Sequence, residues 1–179
     1  AQKDIKLRGL HNIENLLAAA AAVWGEVPVE AIRQVGSTFT GVEHRIEPVR
    51  TLDGVLYYND SIGTSPTRTI AGLRSFDRKV ILIAGGYDKH IPYEPLAPEI
   101  TAHVKNLVLM GATGPRIEKA VCEHPDFAAS GLTIQHADTM QHAVELARAA
   151  AQPGDIIILS PASASFDLYP NFEVRGREF

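Results

Sequence analysis

Between residues 12 and 24 the apolar positions Ile13, Leu16, Leu17, Ala20, Val23 and Trp24 recur at helical spacing, and the alanines from Ala18 to Ala22 leave a narrow face that another element can approach closely. Pro28 at a first turn, Val29, Ile32 and Val35 on one side, and Gly36 at the end signal a second helix. Two helices make no core, so this segment is expected to lean on a larger domain. Ahead of it, residues 4–7 read as a short strand, and the chain opens on Ala1 rather than methionine, as a piece of a longer protein would.

After Gly41 the pattern changes. Residues 45–52 and 55–58 read as strands joined by Asp53-Gly54, a strong short-range signal for a hairpin. Apolar runs at 80–84, 107–110, 132–135 and 156–159 then alternate with helical patterns at 66–73, 96–104, 114–121 and 140–149. Strand and helix in alternation, with strands rich in Ile, Val and Leu, predict an α/β, Rossmann-like, mostly parallel sheet with helices on both faces. The expected division is 1–40 for the two leading helices and 41–179 for the α/β domain.

Composition narrows the function classes. Hydrophobic residues make up 45% and charged residues 21% of 179, with a net charge of -4, which fits a packed domain and disfavours nucleic acid as a partner. No apolar stretch approaches the roughly 20 residues that span a bilayer, and no secretory leader opens the chain, so the expected location is cytoplasmic. The single cysteine, Cys122, forms no disulfide within the chain, and no histidine base is placed beside it.

In open α/β sheets ligands gather outside the carboxyl ends of the strands, so candidate chemistry is sought just after each strand. Asn59-Asp60-Ser61-Ile62-Gly63-Thr64 leads into a helix that Ser65 can cap with Pro66 at its first position, a place suited to a carboxylate or phosphate. Gly85-Gly86-Tyr87-Asp88-Lys89 combines close backbone approach with a cation. The segment from Ser160 to Ser165 is dense in hydroxyls, and His44-Arg45-Ile46-Glu47 offers a guanidinium at the junction of the two segments. Each also admits a plainer reading: a tight turn, a solvated lysine, a serine-rich cap, a surface ion pair between Arg45 and Glu47. Neither the dinucleotide glycine fingerprint nor a triphosphate-cradling loop occurs.

The order and spacing of these segments are more specific than any one of them. Gly9-Leu10-His11-Asn12-Ile13-Glu14-Asn15, His44-Arg45-Ile46-Glu47, Asn59-Asp60-Ser61, Gly85-Gly86-Tyr87-Asp88-Lys89, Ser160-Pro161-Ala162 through Ser165-Phe166-Asp167, and Asn171-Phe172-Glu173-x-Arg175-Gly176 together resemble the C-terminal part of the Mur ligase family over essentially the whole chain. The last motif resembles the members that add D-glutamate. The resemblance implies an ATP-dependent ligase joining D-glutamate to UDP-N-acetylmuramoyl-L-alanine through an acyl phosphate, in peptidoglycan precursor synthesis. It implies that residues 1–40 end a central ATPase domain, that an N-terminal domain and the rest of the central one precede them, and that residues 41–179 bind the amino acid. By the same resemblance Asn15 would face adenine, Arg45 and Asp60 would contact ATP, Lys89 and Thr64 would take the α-carboxylate of D-glutamate, and Ser165, Phe166 and the backbone near Phe172 its side-chain carboxylate. His11, Asn12 and His44 would be structural. Mg2+ ligands and the phosphate loop would lie upstream, leaving no metal ligand or catalytic residue here and a chain inactive by itself. Family members often carry lysine after Asn-Asp-Ser; Ile62 stands here, with Arg68 one turn on as a replacement cation. Alternatives are a sister Mur or folylpolyglutamate-type ligase, which the segment from Ser160 to Phe179 disfavours, a non-catalytic ligand-binding module, and a dinucleotide oxidoreductase.

Overall fold

The structure, a computed structural model, describes residues 5–7 and 9–179. The chain divides into two compact units, Ala1–Val42 and Glu43–Phe179.

In the first unit, α1 (Leu10–Ala22) and α2 (Val29–Thr38) carry the two helical patterns. Leu16, Ala19 and Ala20 of α1 and Val23 just after it line a cleft with Ala31, Ile32 and Val35 of α2. Gly36 does not end α2: the helix runs to Thr38, with the Ser37 and Thr38 hydroxyls donating back to the Gln34 carbonyl. Trp24 stays 70% exposed and no residue of α2 is buried, an apolar surface that two helices cannot bury between them. Asp4 lies outside the described residues, and residues 5–7 form no strand.

The second unit opens with a hairpin, β1 (Glu47–Leu52) antiparallel to β2 (Val55–Asn59), turned by Asp53 and Gly54 with φ of 53° and 78°. Two successive positive φ values match the right-handed twist of the strands, the geometry Asp-Gly favours. β1 begins at Glu47 rather than Arg45 as expected, because His44 and Ile46 take φ of 62° and 47° and break the extended run. The chain continues through α3 (Pro66–Leu73), β3 (Val80–Gly85), a 3-10 turn (Glu94–Leu96), α4 (Ala97–His103), β4 (Val104–Met110), α5 (Gly114–Cys122), α6 (Phe127–Ser130), β5 (Thr133–His136), α7 (Met140–Ala149), β6 (Ile156–Leu159) and α8 (Phe172–Glu178).

The sheet order is β1-β2-β6-β3-β4-β5, and every pairing after the hairpin is parallel. Alternation along β3 sends Val80, Leu82 and Ala84 to one face, where Leu73, Ile100 and Ile117 of α3, α4 and α5 cover them. Ile81 and Ile83 meet Met140, Ala143 and Ala147 of α7 on the other. Fully burying side chains of this size stabilises by about 1.5 to 3 kcal/mol each, which is why the central strands are apolar without interruption. β6 enters last and lies between β2 and β3, so the carboxyl ends of three strands open side by side.

Candidate functional site

Three strand exits meet above those ends. After β2, Asn59 Oδ1 accepts from the Ser61 amide at 3.0 Å, turning the chain, while Asn59 Nδ2 donates to the Gly176 carbonyl and sits 2.9 Å from His44 Nδ1. Asn59, only 3% exposed, thereby ties the start of the unit to α8. After β6, the Gly85 amide donates to the Pro161 carbonyl and the Ala162 amide to the Gly63 carbonyl. After β3, the Tyr87 amide donates to the Ala164 carbonyl at 2.9 Å. Gly86 is pinned on both sides by Thr113, whose Oγ1 accepts its amide and whose amide donates to its carbonyl.

Among the residues named from the sequence, Lys89 and Thr64 are brought together: Lys89 Nζ donates to the Thr64 carbonyl at 2.5 Å from an otherwise exposed side chain. Asp88 is held by the His90 amide and by Arg116, and these contacts, led by the amide, keep its carboxyl below the usual range. The Lys89 loop is thus fixed by its neighbour. Ser165 lies one residue after Ala164 and is 3% exposed; Phe166 is 66% exposed and packs edge-on against Tyr87. Phe172 opens α8, and its carbonyl accepts from Ser61 Oγ at 2.8 Å. Among the described residues the Thr64 and Ser165 hydroxyls take no internal hydrogen bond, so one cation and two uncommitted hydroxyls lie on the loops that leave the neighbouring strands β2, β3 and β6. Arg68 Nη1 reaches toward the Ile62 carbonyl at 3.5 Å, which places a second cation at that edge.

Asp60 and Arg45 have a different setting. Asp60 is buried; its Oδ1 accepts from the Ile46 amide and its Oδ2 from Ser160 Oγ, which also lies 2.9 Å from Thr69 Oγ1. Both oxygens are used internally, so the carboxylate holds the loop on which Arg45 sits. Arg45 is half-buried and makes no ion pair among the described residues; Glu47 Oε2 accepts the His44 amide instead. The left-handed residues on either side of it, His44 and Ile46, fix its direction. Asn15, on α1, is exposed and its Nδ2 lies 3.5 Å from Asn12 Oδ1.

Burial pushes the Asp60 carboxyl up from 3.8 to about 6, against the opposing effects of Ser160, the Ile46 amide, Arg45 and Arg68. Between those pH values the folded chain keeps a proton that the unfolded chain has lost, so this residue makes stability fall as pH rises through that window and leaves it flat above about 6. About two units correspond to about 3 kcal/mol. Asp60→Asn can keep the Ile46 contact and donate to Ser160, so the difference in melting temperature between Asp60→Asn and wild type should grow in the variant's favour from pH 4 to pH 6. A constant difference across that range would show that Asp60 is ionised throughout.

Arg175, named from the sequence only as part of the terminal motif, and Thr113, which no motif contains, are buried polar residues that brace these loops. His44 packs edge-on against Phe172, and a Cβ at Gly176 would collide with its ring, so Gly176 is what lets α8 approach. Nothing in spacing distinguishes a buried arginine from a surface one in a helix as polar as α8. Among the described residues no group of three or more His, Cys, Asp or Glu is arranged to hold a metal ion, and no helix is long and apolar enough to cross a membrane.

Residues 44–163 match the family model for the Mur ligase, glutamate ligase domain. The chain belongs to the Mur ligase family. Proteins called UDP-N-acetylmuramoylalanine--D-glutamate ligase are 53% identical in Clostridium beijerinckii, 56% in Acetivibrio thermocellus and 55% in Clostridium novyi, over 98%, 98% and 100% of this chain. The Mur ligase chain described here spans only 38 to 39% of the length of those relatives. Among solved structures it resembles a folylpolyglutamate synthase of Mycobacterium tuberculosis with ADP (TM-score 0.65, 15% identity, 89% of this chain and 39% of that one). It also resembles the murein peptide ligase of Psychrobacter arcticus (TM-score 0.59, 22% identity, 89% of this chain and 35% of that one). At those identities the likeness is one of fold, and it matches the Rossmann-like α/β architecture of the second unit.

Proposed function

We propose that this chain is the C-terminal part of an ATP-dependent ligase that joins D-glutamate to UDP-N-acetylmuramoyl-L-alanine in the cytoplasm, forming a C–N bond during peptidoglycan precursor synthesis. The observation that carries the reading is identity above 50% to relatives of that name along essentially the whole chain. The opening above β2, β3 and β6 supports it chemically. A dicarboxylate needs a cation or several amides and hydroxyls at each end, and Lys89 with Thr64 at one side and Ser165 with the backbone around Phe166 and Phe172 at the other offer such a set.

In this reading ATP phosphorylates the carboxylate of the UDP-linked substrate, and the amine of D-glutamate displaces phosphate from that acyl phosphate. The second unit's part is to hold D-glutamate by its two carboxylates and leave its amine free to attack, which lowers the entropic cost of the step. Arg45 supplies a guanidinium to a phosphate of ATP, Asp60 keeps its loop in place, and Asn15 is assigned to the adenine. Mg2+ would offset phosphate charge, and the described residues provide no cluster for it.

The test is the full-length natural enzyme, assayed for ADP release with UDP-N-acetylmuramoyl-L-alanine and a panel of amino acids. D-glutamate should be used in strong preference to L-glutamate, L-lysine and diaminopimelate; preference for another amino acid would sink the substrate assignment. In the same enzyme Arg45→Ala should reduce turnover about tenfold or more at unchanged melting temperature, since a charge-assisted phosphate contact contributes about 1.5 to 3 kcal/mol and an unpaired arginine little to stability. An unchanged rate would leave Arg45 without a role in ATP binding.

A further inference from the structure

Arg175 is among the largest fully buried side chains of the second unit, at 2% exposure. Its Nε donates to Ser61 Oγ at 3.1 Å and its Nη2 to the Ser61 carbonyl at 2.8 Å, while Nη1 donates to the carbonyls of Ser163 and Ala164 at 3.2 and 3.0 Å. Every one of these acceptors is neutral. Among the described residues no carboxylate lies within ion-pair distance of the guanidinium; Asp167, whose charge favours it, is exposed and accepts from the Ala112 and Leu168 amides. Burial lowers the guanidinium only to about 10, so it stays charged at neutral pH.

A buried charge solvated by carbonyl dipoles and no counter-ion is costly, and it leaves a positive field in the loops that surround it. Those loops are the exits of β2 and β6, and Gly86 at the exit of β3 lies against the same guanidinium. The peptide groups are oriented as well. In a trans peptide the C=O and the following N–H point in opposite directions, so an Ala164 carbonyl drawn to Arg175 and to the Tyr87 amide turns the Ser165 N–H away from both. No backbone acceptor among the described residues receives that N–H, and the Ser165 hydroxyl beside it is equally uncommitted.

We propose that Arg175, which does not itself touch a ligand, is the positioning residue that makes the amino-acid site select a second carboxylate: it clamps the Ser61 and Ser163–Ser165 loops together, aims the Ser165 N–H outward, and lends the opening a buried positive charge. The inference rests on the reading of the substrate as D-glutamate; what it adds is the source of the preference for an acid over an amide side chain.

The experiment uses the full-length enzyme with D-glutamate as substrate and D-glutamine as competitor, comparing wild type, Arg175→Gln and Arg175→Lys. Arg175→Gln should raise the KM for D-glutamate about ten- to a hundredfold while the KM for ATP changes less than about threefold, and the discrimination between D-glutamate and D-glutamine should shrink by about tenfold. Arg175→Lys, which keeps the charge but not the fork, should retain most of that discrimination. Equal weakening of D-glutamate, D-glutamine and ATP, or equal effects of Lys and Gln, would make Arg175 a brace of the fold and overturn the proposal. If the Gln variant does not fold, nuclear magnetic resonance of the wild-type enzyme decides: D-glutamate should shift the Ser165 amide and the Arg175 Nε–H strongly and D-glutamine weakly, and matching shifts from both would overturn it. A wild-type enzyme that consumes no D-glutamate would instead defeat the substrate reading.

Discussion

Gly86→Ala is expected to lower the melting temperature of the chain by about 10 °C and to reduce ligation in the full-length enzyme by about a hundredfold. Gly86 has φ of 149°, a conformation L side chains rarely adopt, and a Cβ built there would lie inside the van der Waals shell of the Ala164 carbonyl and 3.2 Å from Arg175 Nη1. The obstructing atoms are backbone and a fully buried guanidinium, so neither can step aside. Relief requires the β3 exit to part from the β6 exit, breaking the Tyr87–Ala164 hydrogen bond and displacing Lys89 from Thr64. Strain of this kind costs about 2 to 4 kcal/mol, which for a domain of this size is about 10 °C. A displacement of about 1 Å in a substrate-positioning loop accounts for the hundredfold loss. Circular dichroism melting and the ADP-release assay read the two effects, and a fully active variant of unchanged stability would mean that the three strand exits move independently.

Lys89→Ala in the full-length enzyme should raise the KM for D-glutamate about ten- to a hundredfold, leave the KM for ATP within about threefold, and leave the melting temperature unchanged. Lys89 is exposed, and within the unit its ammonium makes a single hydrogen bond, to the Thr64 carbonyl, so the fold loses little when it goes. A substrate carboxylate would lose a charge-assisted contact of about 1.5 to 3 kcal/mol, which is the stated change in affinity. The effect should be selective because Lys89 and Arg45 sit on different loops, one after β3 and one before β1. Equal weakening of ATP and D-glutamate, or a change in stability alone, would remove Lys89 from the amino-acid site.

Much of the fold is legible in the sequence because its signals are local. Asp53-Gly54 between two strand-like runs marks the hairpin, and the unbroken apolar runs of β3 and β6 mark strands buried on both faces. Other features were hidden for physical reasons. β4 starts at Val104, three residues before its apolar run, because Val104 and Asn106 pair with β3 and Asn106 also with β5, carrying the strand through the unpaired Lys105. Neither α6 nor α8 showed a helical apolar stripe; Phe127–Ser130 is a single turn, and α8 is held by the Asn171 cap on Val174 and by buried Arg175. The left-handed turns at His44 and Ile46 are held by one local contact, the Glu47 carboxylate on the His44 amide, and one longer-range contact, Asp60 on the Ile46 amide, and no pattern of hydrophobic and polar residues announces them.

The same division holds for the candidate site. That the loops after β2, β3 and β6 are chemically unusual could be read from Thr64, Lys89 and Ser165, because glycines, hydroxyls and a lysine after apolar strands are conspicuous. That these loops meet depends on β6 inserting between β2 and β3, a long-range fact of topology. Arg175 stands in the terminal motif, but its burial and its role were not legible there, because its partners, Ser61, Ser163 and Ala164, are distant in sequence from α8 or offer only backbone carbonyls.

The proposed function requires D-glutamate to bind at the exits of β2, β3 and β6. Titrating the isotopically labelled 179-residue chain with D-glutamate, with L-glutamate as control, and following every backbone amide by nuclear magnetic resonance tests it most directly. D-glutamate should shift the amides of Thr64, Lys89, Ser165 and Phe166 well beyond the control while α1 and α2 stay still. Shifts confined to other residues, or identical responses to the two enantiomers, would contradict it.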